Sequence, residues 1–425
     1  MTEHTKSKRL PAVLLAAVLL AATICCFGKP HSSERLEEPY TIFIATDMHY
    51  LSPQLSGDDH FFGAPSANFD GKVIHYSDEV TRAFLAEAEE KQPDLVILSG
   101  DLTLNGAAQS HREMAAYLQQ LQQSGVQVLV LAGNHDIGGS GGDYSGEEVA
   151  LVEGTSPGLF RELYSPFGWD QAISRDEYSM SYIYQATDKL RILMLDTNVA
   201  GKGYVLAGTL RWLEQELAYA HKHGIKVIGV SHQNLYAHNE LLSFGYQMYN
   251  ADMVTPIYEK YGVRANFSGH IHVQSILRDK PVPEVVTASM AVMPAAYGVL
   301  QYSGRDFTYT TAATDVAAWA AAEGIADEQL LGYGEYCRWY FEECSREKTR
   351  RQFAESGLAA AEIELMADAF AGINSAYFSG EGADGEAYAE GLALWQQHGQ
   401  GGFTLAYFDT MLAAAEKDML TLRFG

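Results

Sequence analysis

The sequence predicts an α/β domain followed by a smaller, all-helical C-terminal domain, and three observations support this. Between residues 39 and 310, short apolar runs alternate with amphipathic stretches of helical length. Five of these runs lead directly into Asp, Asn or His residues. After residue 310, Ala-, Glu- and Leu-rich helical patterns continue to the C-terminus. We therefore expect an α/β domain over residues 39–310 and a helical domain over residues 311–425.

The apolar runs have the length of strands, and most are rich in Val, Ile and Leu. They occupy residues 41–45, 95–98, 126–131, 192–195, 227–230 and 263–267. The helical stretches between them include residues 77–91, 110–124 and 206–223. This alternation is typical of an α/β domain whose strands are largely buried.

The last part of the chain predicts a hairpin and then helices. Residues 297–309 fit a β-hairpin with Ser303 and Gly304 at its turn. Three to five helices are expected in residues 311–425, interrupted by Gly-rich residues 379–385 and 399–402. Cys337 and Cys344 would lie ~10.5 Å apart along one helix, too far for a direct disulfide. We expect both thiols to be buried, and the helical domain to shape substrate access or bind an unknown partner.

The first 28 residues have the pattern of an export signal. Lys6, Lys8 and Arg9 precede an uncharged apolar run over residues 10–27. Cys25 and Cys26 close this run, which resembles a bacterial lipoprotein signal. The run is also long enough for an uncleaved anchor. We expect an exported protein at the outer face of the cytoplasmic membrane, held there through its N-terminus by a lipid or by an uncleaved anchor. A cleaved signal is the third alternative. Residues 29–38 would form a tether.

The net charge indicates which partners the chain avoids. Fifty-four Asp and Glu residues against 29 Lys and Arg give a formal net charge of −25. So acidic a surface repels phosphate polymers, and we expect no binding to DNA or RNA. A small phosphorylated substrate remains compatible, because bound metal cations reverse the local field.

The residues that follow five of the apolar runs are of metal-binding types. They are Asp47 and His49, Asp101, Asn134 with His135 and Asp136, His232, and His270 with His272. Sites in open α/β sheets form outside the carboxyl ends of strands, so these side chains are expected to meet. On an extended backbone, the two-residue spacing would point both members of each ligand pair the same way. Glycine precedes Asp101, Asn134 and His270, where we expect the backbone to approach the site closely.

In order and rough spacing, these motifs resemble the calcineurin-type metallophosphoesterase family. The motifs are Asp47-Met-His49, Gly100-Asp101, Gly133-Asn134-His135-Asp136, His232 and Gly269-His270-Ile-His272. They span about half the chain, and no expected ligand is missing. The resemblance implies a two-sheet α/β/β/α sandwich. Residues 100–106 with Ser110 and His111 are similar to the bacterial class III cyclic-nucleotide phosphodiesterase branch.

The resemblance also implies a dinuclear metal centre. One ion would be held by Asp47, His49, Asp101 and His272. The other would be held by Asp101, Asn134, His232 and His270, with Asp101 bridging the two. A mixed imidazole and carboxylate set suits Fe, Mn or Zn, and two such ions ~3.5–4 Å apart activate a hydroxide for in-line attack. His135 would be the catalytic histidine that binds no metal, with Asp136 orienting it.

The function expected from these residues is metal-dependent phosphodiester hydrolysis, with 3′,5′-cyclic nucleotides as the favoured substrate. A phosphomonoesterase or nucleotidase using the same site is the first alternative. A non-catalytic metal-binding scaffold is the second.

Several other residues carry weaker expectations. His111 would either approach the substrate or lie on the surface at the start of a helix. For His238, too, a role near the substrate and a surface position are both compatible with the sequence. Residues 56–72 would form either a lid or a surface loop. His221 and His223 are expected in solvent, and the sequon at Asn266 is expected to be buried in a strand.

The two cysteines at the end of the N-terminal apolar run generate the first prediction. We expect Cys25→Ser combined with Cys26→Ser to release the protein from the membrane fraction, because a thioether-linked lipid needs one of these sulfurs. Cell fractionation and immunoblotting measure this. An unchanged membrane pool would favour the uncleaved anchor, and wild-type protein found only in the cytosol would contradict export.

Overall fold

Two β-sheets lie face to face at the centre of the computed structural model. The structure describes residues 36, 38–57, 61–66, 70–198, 203–399, 402–415 and 417–425, all within a single compact unit, Arg35–Gly425. The predicted export signal over residues 1–28, and most of the tether, lie outside the described residues. The division predicted at residue 310 stays a prediction.

The strands are, in chain order, β1 Tyr40–Ala45, β2 Leu95–Leu98, β3 Gln127–Val130, β4 Ser140–Asp143, β5 Ala150–Glu153, β6 Ser174–Arg175, β7 Tyr182–Thr187, β8 Leu190–Leu195, β9 Lys226–Ser231, β10 Asn266–Ser268, β11 Ser275–Leu277, β12 Glu284–Val286, β13 Ala296–Tyr302, β14 Phe307–Ala313 and β15 Thr421–Phe424. The first sheet has the order β15-β14-β13-β1-β2-β3, and the second has the order β11-β12-β10-β9-β8-β7-β6. Strands β4 and β5 form a separate hairpin.

The α-helices are, in chain order, α1 Pro53–Ser56, α2 Ser77–Lys91, α3 Ala108–Gln123, α4 Pro157–Tyr164, α5 Ala207–Lys222, α6 Ala251–Tyr261, α7 Val316–Ala322, α8 Glu328–Leu331, α9 Tyr333–Phe353, α10 Ala360–Ser379, α11 Ala389–His398 and α12 Gly402–Ala414. Every helix in the described part of the chain is too short or too polar to cross a lipid bilayer.

The two sheets and their flanking helices form the predicted α/β/β/α sandwich. The layer between the sheets is apolar and includes Ile42, Ile97 and Leu129 from the first sheet and Ile192, Ile228 and Phe267 from the second. Outward-facing residues of the first sheet pack with α2 and α3, and those of the second sheet pack with α5 and α6. Because both faces of each sheet are covered, the strand sequences are continuous apolar runs and do not alternate between apolar and polar residues.

Five of the six predicted strands are confirmed, with ends that differ by at most two residues. The sixth run, over residues 263–267, is a strand only at Asn266–Ser268. Before it, Val263 N still donates to the carbonyl of Tyr258 in α6, whereas Arg264 N already donates to Val227 on β9. The predicted hairpin is confirmed as β13 and β14, which pair in antiparallel register from Tyr302 and Phe307 to Ala296 and Ala313. Strands β1, β2 and β3 run parallel, as do β8, β9 and β10, so their carboxyl ends share an edge in each sheet.

The C-terminal region has more helices than expected and returns to the first sheet. Six α-helices, α7 to α12, occur among its described residues, where three to five were predicted, because α7 and α8 are short. The last strand, β15, pairs with β14, and Phe424 stacks on Phe307 at 4.8 Å. Cys337 and Cys344 are free and buried in α9, as predicted. Burial raises the pKa of each thiol to about 12.

The described part of the predicted loop over residues 56–72 lies against helix α9. The hydroxyl of Tyr340 donates to the carbonyl of Phe62, and Arg351 donates to the carbonyl of Ser66 at 2.8 Å. Gly71 approaches the ring of Phe341 so closely that a Cβ there would overlap it. These contacts hold the described part of the loop against the helical region.

His111 fits neither of its two expected roles, because it is completely buried in α3. Its Nε2 donates to the carbonyl of Asp136 at 2.9 Å, and its Nδ1 lies 2.8 Å from the hydroxyl of Tyr164. Sequence placed it at a helix start, but α4 packs over that start and excludes solvent. Burial lowers the pKa of His111 to about 3.

The buried imidazole of His111 should make the fold sensitive to acid. Unfolded His111 takes up a proton below its ordinary pKa of 6.5, whereas the folded side chain does so only near 3. Stability from this group is therefore complete above pH 6.5 and is lost as the pH falls toward 3. Between pH 7.5 and 5.0 the free energy of unfolding should fall by about 2 kcal/mol through this group.

Urea denaturation of the wild type and of His111→Gln at both pH values measures this contribution. We expect the glutamine variant to lose less stability on acidification than the wild type. His223→Gln is the matched control, because His223 is exposed at the end of α5. Equal acid sensitivity in the wild type and His111→Gln would contradict the assignment.

Candidate metal centre

The predicted site residues follow the carboxyl ends of parallel strands in both sheets. Asp47 and His49 follow β1, Asp101 follows β2, and Asn134 follows β3 in the first sheet. From the second sheet, His232 follows β9, and His270 and His272 follow β10. The sandwich therefore brings donors from both sheets to one place.

The first group of donors consists of Asp47, His49 and His272, whose ligand atoms all lie within 4.8 Å of one another. The Nε2 atoms of His49 and His272 are 3.1 Å apart. Nε2 of His272 lies 3.3 Å from Oδ1 of Asp47. Three donors that converge on one point in this way could hold a metal ion.

The second group consists of Asp101, His232 and His270, again with ligand atoms within 4.8 Å of one another. Nε2 of His232 lies 3.3 Å from Oδ2 of Asp101 and 3.1 Å from Oδ1 of Asn134. The same Oδ2 of Asp101 is 4.0 Å from Nε2 of His49 in the first group. The two groups are therefore neighbours, with Asp101 between them.

The backbone at these ligands is left-handed rather than extended, so the predicted extended geometry is wrong. Positive φ angles occur at Asp47 (51°), His49 (44°), Asp101 (47°), His270 (72°) and His272 (61°). Such angles cost on the order of 1 kcal/mol each outside glycine and cluster at functional sites. The intervening side chains still point away, as predicted: Met48 is buried against the first sheet's helices, and Ile271 packs on the helical region.

The three predicted glycines are required by close approach. A Cβ at Gly133 would lie 2.1 Å from Oδ1 of Asp101, and a Cβ at Gly269 would lie 2.4 Å from Oδ2 of Asp47. Gly100 combines a φ of 105° with a Cβ position 2.6 Å from Nδ1 of His232. No other residue fits these positions without moving a ligand.

The two buried carboxylates at the site favour positive charge beside them. Burial by itself would raise the pKa of Asp47 and of Asp101, but neighbouring imidazoles, chiefly His272 and His232 respectively, hold both values below the ordinary range. Against the effect of burial, Asp101 raises the pKa of His232 to about 9. Burial lowers the pKa of His270 to about 4 and that of His49 well below its ordinary value. Two buried carboxylates thus favour positive charge, whereas His49 and His270 resist protonation, and a bound metal ion would supply that positive charge.

Two buried atoms at the site have no hydrogen-bond partner among the described residues. They are Oδ1 of Asp47 and Nδ1 of His49. Oδ1 of Asp47 faces His272 within the first donor group. A buried carboxylate oxygen left without a donor is costly unless a cation takes that place, so the donor set fits a metal.

Backbone carbonyls fix the orientation of two of the ligand imidazoles. Nδ1 of His232 donates to Ser99 at 3.0 Å, and Nε2 of His270 donates to Gly245 at 2.8 Å. These bonds leave the opposite ring nitrogen free to bind metal, as is usual for metal-binding histidines. The contribution of Gly245 was not expected, because nothing in the sequence links it to His270.

The predicted pairing of His135 with Asp136 is wrong. Nδ1 of His135 donates to the carbonyl of Leu104 at 2.9 Å, while its Nε2 lies 4.0 Å from Oδ2 of Asp101. The carboxylate of Asp136 instead accepts from the backbone N–H groups of Leu102, Thr103 and Gly133. Successive residues of this tight turn point in different directions, so Asp136 braces the loops while His135 faces the site.

His135 and Asp136 also differ in exposure. The side chain of His135 is 41% exposed, whereas Asp136 is completely buried. Partial burial lowers the pKa of His135, and burial together with Asp101 raises the pKa of Asp136 to about 7. His135 is therefore the imidazole of this site that is open to solvent.

Glu284 organises the second sheet beneath the site, and sequence reasoning missed it. Its fully buried carboxylate accepts from the backbone N–H groups of Leu235 (2.8 Å) and Tyr236 (2.9 Å), just after His232. It also accepts from Asn266 (2.9 Å) and Ser268 (3.0 Å) on β10, which leads to His270. One carboxylate thus ties together the two segments that carry the second sheet's ligands.

Four other polar residues lie outside the donor groups. His238 lies 3.2 Å from Glu284 and belongs to this buried network rather than to the donor groups. His221 and His223 are exposed, as expected. Asn266 is completely buried, as expected of an accidental sequon.

Two family models match the chain in succession. The calcineurin-like phosphoesterase model matches residues 40–274, and a model for the C-terminal domain of cyclic nucleotide phosphodiesterase matches residues 315–418. The second match covers nearly the whole helical region.

Curated relatives are similar at low identity. A cAMP/cGMP dual specificity phosphodiesterase of Mycobacterium tuberculosis is 26% identical over 64% of this chain and 90% of its own length. A probable cyclic nucleotide phosphodiesterase of Synechococcus is 29% identical over 32% of this chain and 47% of its own length. The chain thus spans about half the length of the Synechococcus relative. Among solved structures, a dimetal phosphatase from Danio rerio has a TM-score of 0.48 at 12% identity, covering 65% of this chain and 97% of that one.

The buried carboxylate of Glu284 generates a prediction about the second donor group. Glu284→Gln should lower the free energy of unfolding by about 1–3 kcal/mol, because its amide group would face N–H donors that need an acceptor. It should also weaken metal retention, because the segments that carry His232 and His270 lose their common anchor. Urea denaturation and elemental analysis after dialysis against a weak chelator measure these effects.

Glu153→Gln is the matched control for this substitution. Glu153 is exposed and paired with Arg112 at 3.0 Å, so the control should change neither quantity appreciably. Full metal retention by Glu284→Gln at unchanged stability would contradict the anchoring role.

Proposed function

The chain belongs to the calcineurin-like phosphoesterase family, and from this premise we propose that it hydrolyses the phosphodiester of 3′,5′-cyclic nucleotides at a two-metal centre. The observation that carries the proposal is the pair of adjoining donor groups, built on Asp47 and Asp101, beside the solvent-open imidazole of His135.

The donor groups suggest which residues hold each ion. Asp47, His49 and His272 would hold the first ion and Asn134, His232 and His270 the second, with Asp101 between them. Imidazole and carboxylate donors favour Fe, Mn or Zn. When bound, such ions supply Lewis acidity, which polarises phosphoryl oxygens and acidifies water.

His135 is proposed as the general acid of the reaction. Its Nδ1–H donates to Leu104, which fixes the ring and turns Nε2 toward the donor groups. Nε2 would carry the proton that passes to the departing oxygen. An anionic phosphoryl group bound nearby would oppose the effect of burial on the His135 pKa and favour the protonated form. Asp136 contributes by holding the loop that carries His135.

Three observations support a cyclic nucleotide as the substrate. The helical region matches the C-terminal domain of cyclic nucleotide phosphodiesterase, and the curated relatives carry names of that class. The net charge of −25 opposes binding of long nucleic acids but not of a small monoanionic diester.

We also propose export to the outer face of the membrane, on the basis of the apolar run over residues 10–27.

Kinetics of His135→Ala test both the reaction and the role of this residue. We expect a loss of roughly 10²–10⁴-fold in kcat/KM on adenosine 3′,5′-cyclic phosphate, because a ribose alkoxide leaves poorly without a proton. The loss on a bis-nitrophenyl phosphodiester should be much smaller, because nitrophenolate is already a stable anion. Both metals should remain bound, as elemental analysis would show.

His221→Ala is the matched control, because His221 is exposed on α5. Equal losses on the two substrates would remove the general-acid role, and loss of metal would make His135 a ligand. If the wild type hydrolysed AMP but not the cyclic nucleotide, the site would be a phosphomonoesterase. If it hydrolysed no phosphoester with metal bound, it would be a scaffold.

A further inference from the structure

The segment of residues 239–249, here called the aromatic segment, touches the second donor group directly. The carbonyl of Gly245 accepts from Nε2 of His270 at 2.8 Å. The ring of Tyr246 lies 5.3 Å from the ring of His270. A molecule bound at this donor group would therefore lie beside the aromatic segment.

The backbone of the aromatic segment is held in place. Met248 N donates to the carbonyl of Asn234 at 2.9 Å, and the side chain of Gln247 donates to the carbonyl of Leu235 at 2.8 Å. At the other end, Asn239 donates to the hydroxyl of Tyr377 on α10 at 3.3 Å. Since Asn234 and Leu235 closely follow His232, the segment is fixed relative to the ligands themselves.

Large rings on this fixed backbone are exposed rather than buried. Phe244 is 86% exposed and Tyr249 is 57% exposed. Their rings are 5.9 Å apart in an edge-to-face arrangement. Exposed apolar surface next to a ligand-binding centre is typical of a binding surface.

The charge of the aromatic segment limits what it recognises. Residues 236–250 contain no Lys or Arg, and their one acidic residue is Glu240. Such a surface does not attract a second phosphate or an anionic lipid. Ring faces without cations suit an uncharged planar group, and aromatic side chains stack on nucleobases of any sequence.

We propose that Phe244 is a specificity-determining residue, which stacks on the base of a nucleotide whose phosphoryl group lies at the donor groups. The proposal rests on the proposed function, since it requires a nucleotide ester at that site. The base is the only part of such a substrate that is both planar and uncharged, and the aromatic segment adjoins the place where the phosphoryl group would bind.

Kinetics on a pair of substrates test this role. One substrate is adenosine 3′,5′-cyclic phosphate, and the other is methyl riboside 3,5-cyclic phosphate, which lacks the base. For Phe244→Ala we expect the ratio of their kcat/KM values to fall about tenfold, through a higher KM for the nucleotide with little change in kcat. Phe244→Trp should keep the wild-type ratio, because it restores a ring face.

Tyr219→Ala is the matched control. Tyr219 is an exposed aromatic residue near the C-terminal end of α5, which leads to the start of β9, at the opposite edge of the sheet from the donor groups. The control should leave the ratio unchanged. An unchanged ratio in Phe244→Ala, or a fall in kcat equal on both substrates, would overturn the proposal.

Equilibrium binding separates a failure of this proposal from a failure of the proposed function. Calorimetry with the metal-loaded protein would compare a phosphonate analogue of AMP with the same phosphonate of ribose. Tighter binding of the AMP analogue, lost in Phe244→Ala, would support base stacking even if no cyclic nucleotide were hydrolysed. Equal binding of both analogues by the wild type would overturn the proposal. Binding to phosphatidylcholine vesicles tests the alternative that Phe244 contacts a lipid surface, and a defect of Phe244→Ala confined to vesicle binding would also overturn the proposal.

Discussion

The burial of two carboxylates, Asp47 and Asp101, between two β-sheets is the constraint on which this structure depends. Both are removed from solvent, and the nearest imidazoles come from the second sheet, with Nε2 of His272 and Nε2 of His232 each 3.3 Å from a carboxylate oxygen. In so dry a setting an unpaired carboxylate would be very costly, so each needs positive charge close by. The two sheets bury apolar surface between them and bring both carboxylates together at one end. A metal ion held by the donor groups would compensate the buried negative charge.

The same constraint explains the strained backbone around the ligands. Five ligand candidates have left-handed φ angles, and three glycines leave no room for a side chain. Backbone hydrogen bonds hold the strands together at this edge: Asp47 N donates to Gly100 O and His49 N donates to Asp101 O, each at 3.0 Å. The cost of the left-handed φ angles is thus offset by backbone hydrogen bonds that continue past the end of the sheet. The donor side chains converge because the chain does not remain extended.

Residues outside the five ligand-bearing strand ends also position the site. Gly245 supplies a carbonyl to His270, and Glu284 anchors the segments after β9 and in β10. The helical region packs directly behind the ligands, since Ile271 and Val273 belong to its apolar cluster. Helix α10 also holds the aromatic segment through Tyr377. The helical region is therefore part of the structure that positions the site, and not an appendage to it.

The sequence by itself determined five strands of the sandwich, the hairpin of β13 and β14, and the order of the metal-binding residues, because each depends on local composition and on residues adjacent in the chain. The two-sheet class followed from the resemblance of the metal-binding motifs to a known family. Only the tertiary structure decided that His135 bonds to Leu104 rather than Asp136, that His111 is buried under α4, and that β15 returns to the first sheet. The link between Gly245 and His270 is of the same kind. Each of these contacts joins residues far apart in the chain, or depends on the direction in which a turn points its side chains. Periodicity and spacing carry no information about either, because both are fixed by packing against elements elsewhere in the sequence.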